Sequence, residues 1–76
     1  MKTTLNYDNA RHVTAYLARR GPLTMAVLKD DLAARCGSKE RVEVGVGRAS
    51  RLGWIARSGN VWGITEAGRS ATTEAA

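Results

Sequence analysis

SKERVEVGVGRASRLGWI, residues 38–55, brings together a helix start, an apolar stripe, a basic face and a marked stop. Ser38 has the hydroxyl of an N-cap, able to accept from the unpaired backbone N–H groups of a first helical turn. Val42, Val46 and Ala49 follow at spacings of four and three, and Gly53 continues the line, as one face of an α-helix requires. That face is expected to point inward. At roughly 100° per residue, Glu40, Val44, Gly47 and Arg51 lie on the opposite side, with Arg41 and Arg48 on one flank. This second face is left over for a partner.

The 76 residues around this stretch make one small domain with a modest core. Cys36 is the only cysteine, so no intrachain disulfide can staple it, and a buried thiol is expected at that position. One cysteine and one histidine cannot make a zinc site, so no metal is expected. His12 reads as a partly exposed helix residue. The net charge of +5 comes from twelve basic and seven acidic residues, a balance that suits polyanions such as nucleic acid. No apolar run approaches the roughly 18 residues of a membrane span, and MKTTLNYDNARH lacks the apolar core of a signal peptide. A cytoplasmic location without membrane contact is the expectation.

Along the chain, residues 1–8 read as an extended or frayed lead-in, with Leu5 and Tyr7 the side chains able to dock on a core. Asp8 or Asn9 then caps a helix with Val13, Tyr16 and Leu17 on one face and Arg11, Arg19 and Arg20 off it. Gly21-Pro22 ends this helix, because glycine tolerates a left-handed cap and proline cannot continue a helix. Leu23-Thr24 opens the next element, in which Thr24 is the N-cap and Met25, Leu28 and Leu32 form the buried stripe. Asp30 and Asp31 face solvent there. Gly37 closes that helix and Ser38 starts the third, so the pair reads as a helix-turn-helix. After Gly53 the period changes. Residues 54–57 and 61–64 read as two short strands around Ser58-Gly59-Asn60, with Trp54 and Trp62 as core residues. Thr65 to Arg69 looks like a capped terminal helix, and residues 70–76 have too little apolar content to be held, so a flexible tail is expected. The domain proper is expected over residues 9–69.

The order helix, helix, helix, hairpin resembles the winged helix-turn-helix DNA-binding family. GPLTMAVLKDDLAARCG, residues 21–37, looks like that family's second helix, where a turn ending in Leu-Thr leads into a helix with two leucines and closes on glycine. RLGWI at 51–55 and NVWGITEAGR at 60–69 resemble the passage from recognition helix to wing to a final Leu-Thr-x-x-Gly-Arg-like segment, with Ile64-Thr65 where Leu-Thr is usual. The likeness spans residues 9–69 and rests on structural motifs. It extends to small regulators of bacterial, phage or mobile-element type without selecting a subfamily. It implies a mainly α fold with a small β-hairpin, a three-helix core plus a wing. Two glycines depart from the pattern, each costing on the order of 1 kcal/mol in an exposed helix interior. Gly45 lies beside the core stripe, where it lets another helix come close. Gly47 lies outward, where it either admits a phosphate or base edge to the backbone or only softens the helix.

By this resemblance the helix at about 39–52 enters the major groove and the hairpin at about 55–64 meets the flanking backbone or minor groove. Arg41, Arg48 and Arg51 supply donors, since arginine bonds guanine in a bidentate way, and Lys39 near the helix start suits a phosphate. Val44 suits a thymine methyl, and suits an apolar protein partner equally well. Arg57 and Asn60 stand near the wing tip, although Ser58, Gly59 and Asn60 are also plain turn formers. Arg19 and Arg20 are weaker candidates, because a helix C-terminus favours cations without any DNA. Glu40 and Glu43 oppose phosphates, so each must accept from cytosine, pair with Arg48 or Arg51, or belong to a protein interface. The expected function is sequence-specific binding of double-stranded DNA, by a small transcription regulator or a recombination or architectural factor, with no cofactor. A protein-binding module that inhibits or recruits a host protein is the alternative, and homodimerisation on two half-sites stays open. No nucleophile with a base, phosphate loop or metal spacing suggests an enzyme.

Overall fold

The computed structural model describes the backbone of residues 2–75 and the side chains of residues 9–72. The elements in order are α1 (Lys2–Arg20), β1 (Leu23–Thr24), α2 (Met25–Cys36), α3 (Lys39–Arg51), β2 (Ile55–Ser58), β3 (Val61–Ile64) and α4 (Glu66–Ala75). The protein is mainly helical, with a small antiparallel sheet of order β1-β3-β2.

Local caps delimit the two central helices. Thr24 is extended and its hydroxyl accepts from the Val27 N–H at 3.3 Å, which starts α2. Gly37, at φ +112°, donates its N–H to the Ala33 carbonyl at 2.8 Å and ends it. One residue later Ser38 accepts from the Arg41 N–H at 3.1 Å and starts α3. The turn between α2 and α3 is therefore only Gly37-Ser38.

Val13 and Leu17 of α1, Leu28 and Leu32 of α2, Val42, Val46 and Ala49 of α3, and Ile55 of β2 form the core. Full burial of an aliphatic side chain of this size contributes about 1.5 to 3 kcal/mol. The inward stripe of α3 thus locks one face of that helix and leaves the other to solvent. Cys36 is buried at the end of α2, and burial pushes its thiol up from the ordinary range. Tyr16 and Met25 sit half-buried at the margin, and Trp54 and Trp62 are half-buried against the same cluster.

Four expectations need correction. The segment from Lys2 to Asp8 is the first part of α1 rather than an extended lead-in, so Asp8 and Asn9 lie inside the helix and cap nothing. Asn9 is instead buried, with its side-chain amide donating to the Cys36 carbonyl at 3.5 Å. The docking proposed for Leu5 and Tyr7 falls on side chains outside the described ones. Second, Gly53 does not extend the buried stripe: it is exposed at φ +80°, past the C-cap Leu52, where it turns the chain toward β2. Third, the expected hairpin forms from β2 and β3, but Leu23-Thr24 does more than open α2: it adds a third strand, with Leu23 opposite Trp62 and Thr24 opposite Val61 of β3. Fourth, residues 70–75 continue α4 instead of forming a separate tail.

Thr65 and Gly68 tie α4 to the rest. The Thr65 hydroxyl accepts from the Gly68 N–H at 3.1 Å and donates to the Gly53 carbonyl at 2.5 Å, while the Thr65 N–H donates to the Trp54 carbonyl at 2.9 Å. Gly68 packs so tightly there that a Cβ would collide with the Trp54 carbonyl oxygen. The segment that follows the hairpin is thereby fastened to the turn that precedes it.

Candidate functional site

Because Val42, Val46 and Ala49 face the core, helical geometry turns Glu40, Val44, Gly47 and Arg51 outward, and all four are exposed. Val44 keeps 51% of its surface accessible, the more exposed of two large apolar side chains in that state among the described residues. Glu43, Val44, Gly47, Arg48 and Arg51 line a shallow groove along the helix. Its cause is local. A helical side chain covers the surface over the turn preceding it, and position 47 has no side chain to do so. Among the described residues, no heavy atom comes within 4 Å of where a Gly47 Cβ would stand. The depression therefore has an apolar end at Val44 and cationic sides at Arg48 and Arg51. Arg48 is half-buried, whereas Arg51 and Arg41 are exposed. The Arg41 stem folds back over Gly37, its Cδ lying 3.0 Å from the place a Gly37 Cβ would occupy.

Two ion pairs join α2 to α3 beside this face. Lys29 Nζ lies 2.5 Å from Glu43 Oε2, and Lys39 Nζ lies 3.3 Å from Asp30 Oδ1. Exposed pairs of this kind contribute about 0 to 1 kcal/mol, so their main consequence is electrostatic. The Glu43 carboxylate is matched by Lys29 on the neighbouring helix, a partner that was not among the three alternatives left open by the sequence. Lys39 already shares its charge with Asp30. Glu40 stands exposed in the first turn of α3, where a carboxylate interacts favourably with the helix dipole.

The hairpin turn presents a second polar surface. Arg57, Ser58, Gly59 and Asn60 are all exposed, and Gly59 takes φ +66° to make the turn. Arg57 stands opposite Trp62 in the β2–β3 register, with its guanidinium carbon 6.0 Å from the Trp62 ring centroid. This stacking, worth about 0.5 to 1 kcal/mol at an exposed site, restricts the arginine without removing its donors from solvent.

A third cluster lies between α1 and α2. The Tyr16 hydroxyl donates to Asp31 Oδ2 at 2.5 Å and accepts from Arg20 Nη1 at 3.1 Å, and Arg20 also stacks 5.5 Å from the ring centroid. The hydrogen bond to Asp31 pushes the Tyr16 phenol up from its ordinary value, with desolvation adding to it. Asp31 thus has a structural bond despite its exposure, and Arg20 is held by Tyr16. Among the described residues, no group of three or more histidine, cysteine, aspartate or glutamate side chains is placed to hold a metal ion, and no helix is long and apolar enough to cross a membrane.

Of the residues singled out in the sequence, Val44, Gly47, Arg48 and Arg51 come together on one groove. Lys39 and Arg41 lie nearer the start of the same helix. Arg57 and Asn60 belong to the separate hairpin surface. Sequence reasoning missed Lys29 and Asp30, because their roles depend on how α2 packs beside α3. Gly68 stood in the sequence as part of the Leu-Thr-x-x-Gly-Arg-like segment, and its close approach to the Trp54 carbonyl appears only in the packing. Compared with models of known families, with curated proteins and with solved structures, the chain matches none.

Proposed function

We propose that the chain is a winged helix-turn-helix protein that binds double-stranded DNA with sequence preference, serving transcription regulation or the architecture of recombination. The observation that carries this reading is the outward face of α3, where Arg48 and Arg51 flank an exposed valine and an open glycine, with Arg41 nearer the start of a helix that is anchored by its opposite face. Such a helix offers long bidentate donors to base edges while its backbone stays fixed. Arg48, Arg51, Val44 and Gly47 would meet the bases. Lys39 and Arg41 would meet phosphates near the helix start, and Arg57 and Asn60 the flanking backbone or minor groove.

The Lys29–Glu43 pair supports the reading, since it offsets a carboxylate that would otherwise repel phosphate. A second reading is favoured by Val44, whose 51% exposure also suits an apolar protein partner. The test is selection of bound sequences from a random duplex pool. Enrichment of a defined site supports DNA recognition, with Arg51→Ala relaxing base preference and Lys39→Ala weakening all sequences alike. No enrichment at low salt, together with a lysate partner that survives nuclease treatment, would replace it by the protein-binding reading.

A further inference from the structure

Resting on the DNA reading above, we propose that the groove at Gly47 receives the C5-methyl group of a pyrimidine that stands next to a guanine in the major groove.

The argument starts from what the groove lacks. Along the outward stripe, Val44, Gly47, Arg48 and Arg51 recur at helical spacing, and only position 47 has no side chain. The gap is bounded by Val44 toward the helix start and by Arg51 one turn further on. With no described residue within 4 Å of the missing Cβ, the gap is open to an incoming group among the described residues. Its floor is the helix at Gly47, and Val44 lines it toward the helix start. A small apolar group fits such a place.

The surrounding chemistry narrows the group further. Glu43, the one acidic side chain lining the groove, is bound at 2.5 Å by Lys29 from α2, so its carboxylate is turned to a cation rather than standing ready for a cytosine amine. Arg48 and Arg51 place guanidiniums on the other side, the side-chain type that bonds guanine N7 and O6. In the major groove one apolar group is displayed among the base edges, the methyl on C5 of thymine. A 5-methylcytosine displays the same methyl at the same carbon. The floor and wall therefore take the methyl while an arginine takes the neighbouring guanine. Gly47 is then a specificity-determining residue, since any side chain there would cover the methyl's place.

The experiment uses the full chain and the duplex enriched from a random pool, measured by fluorescence anisotropy. Four versions of the duplex are compared: the enriched site, the same site with uracil for thymine beside the guanine, the same site with cytosine at that position, and the same site with 5-methylcytosine there. Loss of one buried methyl predicts about three- to fivefold weaker binding of the uracil duplex. The 5-methylcytosine duplex is expected to bind more tightly than the cytosine duplex by a similar factor. Val44→Ala should shrink the thymine-to-uracil ratio below about twofold, and Gly47→Ala should weaken the thymine duplex more than the uracil duplex. Both substitutions are on an exposed helix face where alanine favours the helix, and thermal melting verifies that they fold. A defined enriched site on which thymine and uracil bind alike overturns the methyl pocket and leaves DNA recognition standing. Enrichment of a site with no thymine beside a guanine has the same meaning. Failure to enrich any site overturns both.

Discussion

Gly45 of α3 lies against the backbone of Asn9 in α1, so close that a Cβ on residue 45 would stand 3.0 Å from the Asn9 carbonyl oxygen and 3.1 Å from its carbonyl carbon. The crossing of the two helices is set by the absence of one methyl group. Two residues along, Gly47 has nothing within 4 Å of the same position among the described residues. The two glycines of one helix therefore serve different purposes. A paired substitution separates them: Gly45→Ala is expected to destabilise by about 1 to 3 kcal/mol, since the obstructing atoms are backbone, whereas Gly47→Ala is expected to stabilise by up to about 1 kcal/mol. Thermal or urea melts of both variants measure the difference.

The junction at Thr65 gives a second stability prediction. Its side chain caps α4 and bonds the Gly53 carbonyl, so Thr65→Ala removes two hydrogen bonds at once. A loss of about 1 to 2 kcal/mol is expected from the cap alone. Gly68→Ala, which would press on the Trp54 carbonyl, should cost more than Thr65→Ala. Equal melting temperatures for wild type and both variants would show that α4 is not fastened in this way.

Much of this architecture can be read locally. Thr24, Gly37 and Ser38 are cap residues whose effect reaches three or four positions, so the limits of α2 and α3 follow from their own neighbourhoods. The α3 stripe is likewise periodic. By contrast, β1 has two residues, too few to show alternation, and exists because Leu23 and Thr24 find Trp62 and Val61 far along the chain. Asp8 and Asn9 look like caps, yet interior positions cost such residues only a few tenths of a kcal/mol to about 0.7 kcal/mol, and α1 runs through them. The charge state of the outward face was the least legible part. Glu43 has near neighbours in Arg48 and Arg51 along the sequence, but the packing of α2 supplies Lys29 instead.

Asp30 lies beside the proposed DNA face and shares Lys39 with it at 3.3 Å. Asp30→Asn removes one negative charge and leaves the lysine for phosphate. Affinity for duplex DNA is expected to rise about threefold at low salt, the size of an exposed pair's electrostatic contribution. Anisotropy titration of the variant checks this, and an unchanged or lower affinity would mean that Lys39 does not approach the backbone.

Cys36 is buried, and its thiol is pushed up by desolvation, so the reactive thiolate is scarce at neutral pH. A thiol-specific chromogenic reagent at pH 7 is expected to leave the folded protein unmodified over a period in which it fully labels the urea-unfolded chain. Raising the pH toward the displaced pKa should accelerate labelling of the native state. Fast labelling at neutral pH would contradict the burial.

The central claim, that the arginine-bearing face of α3 and the hairpin turn bind duplex DNA, is tested most directly by titrating DNA over a range of salt concentrations. Contact with about six phosphates predicts a plot of log affinity against log salt with a slope near −5, reduced by roughly one unit in Lys39→Ala. A flat response, or no binding at low salt, would contradict it.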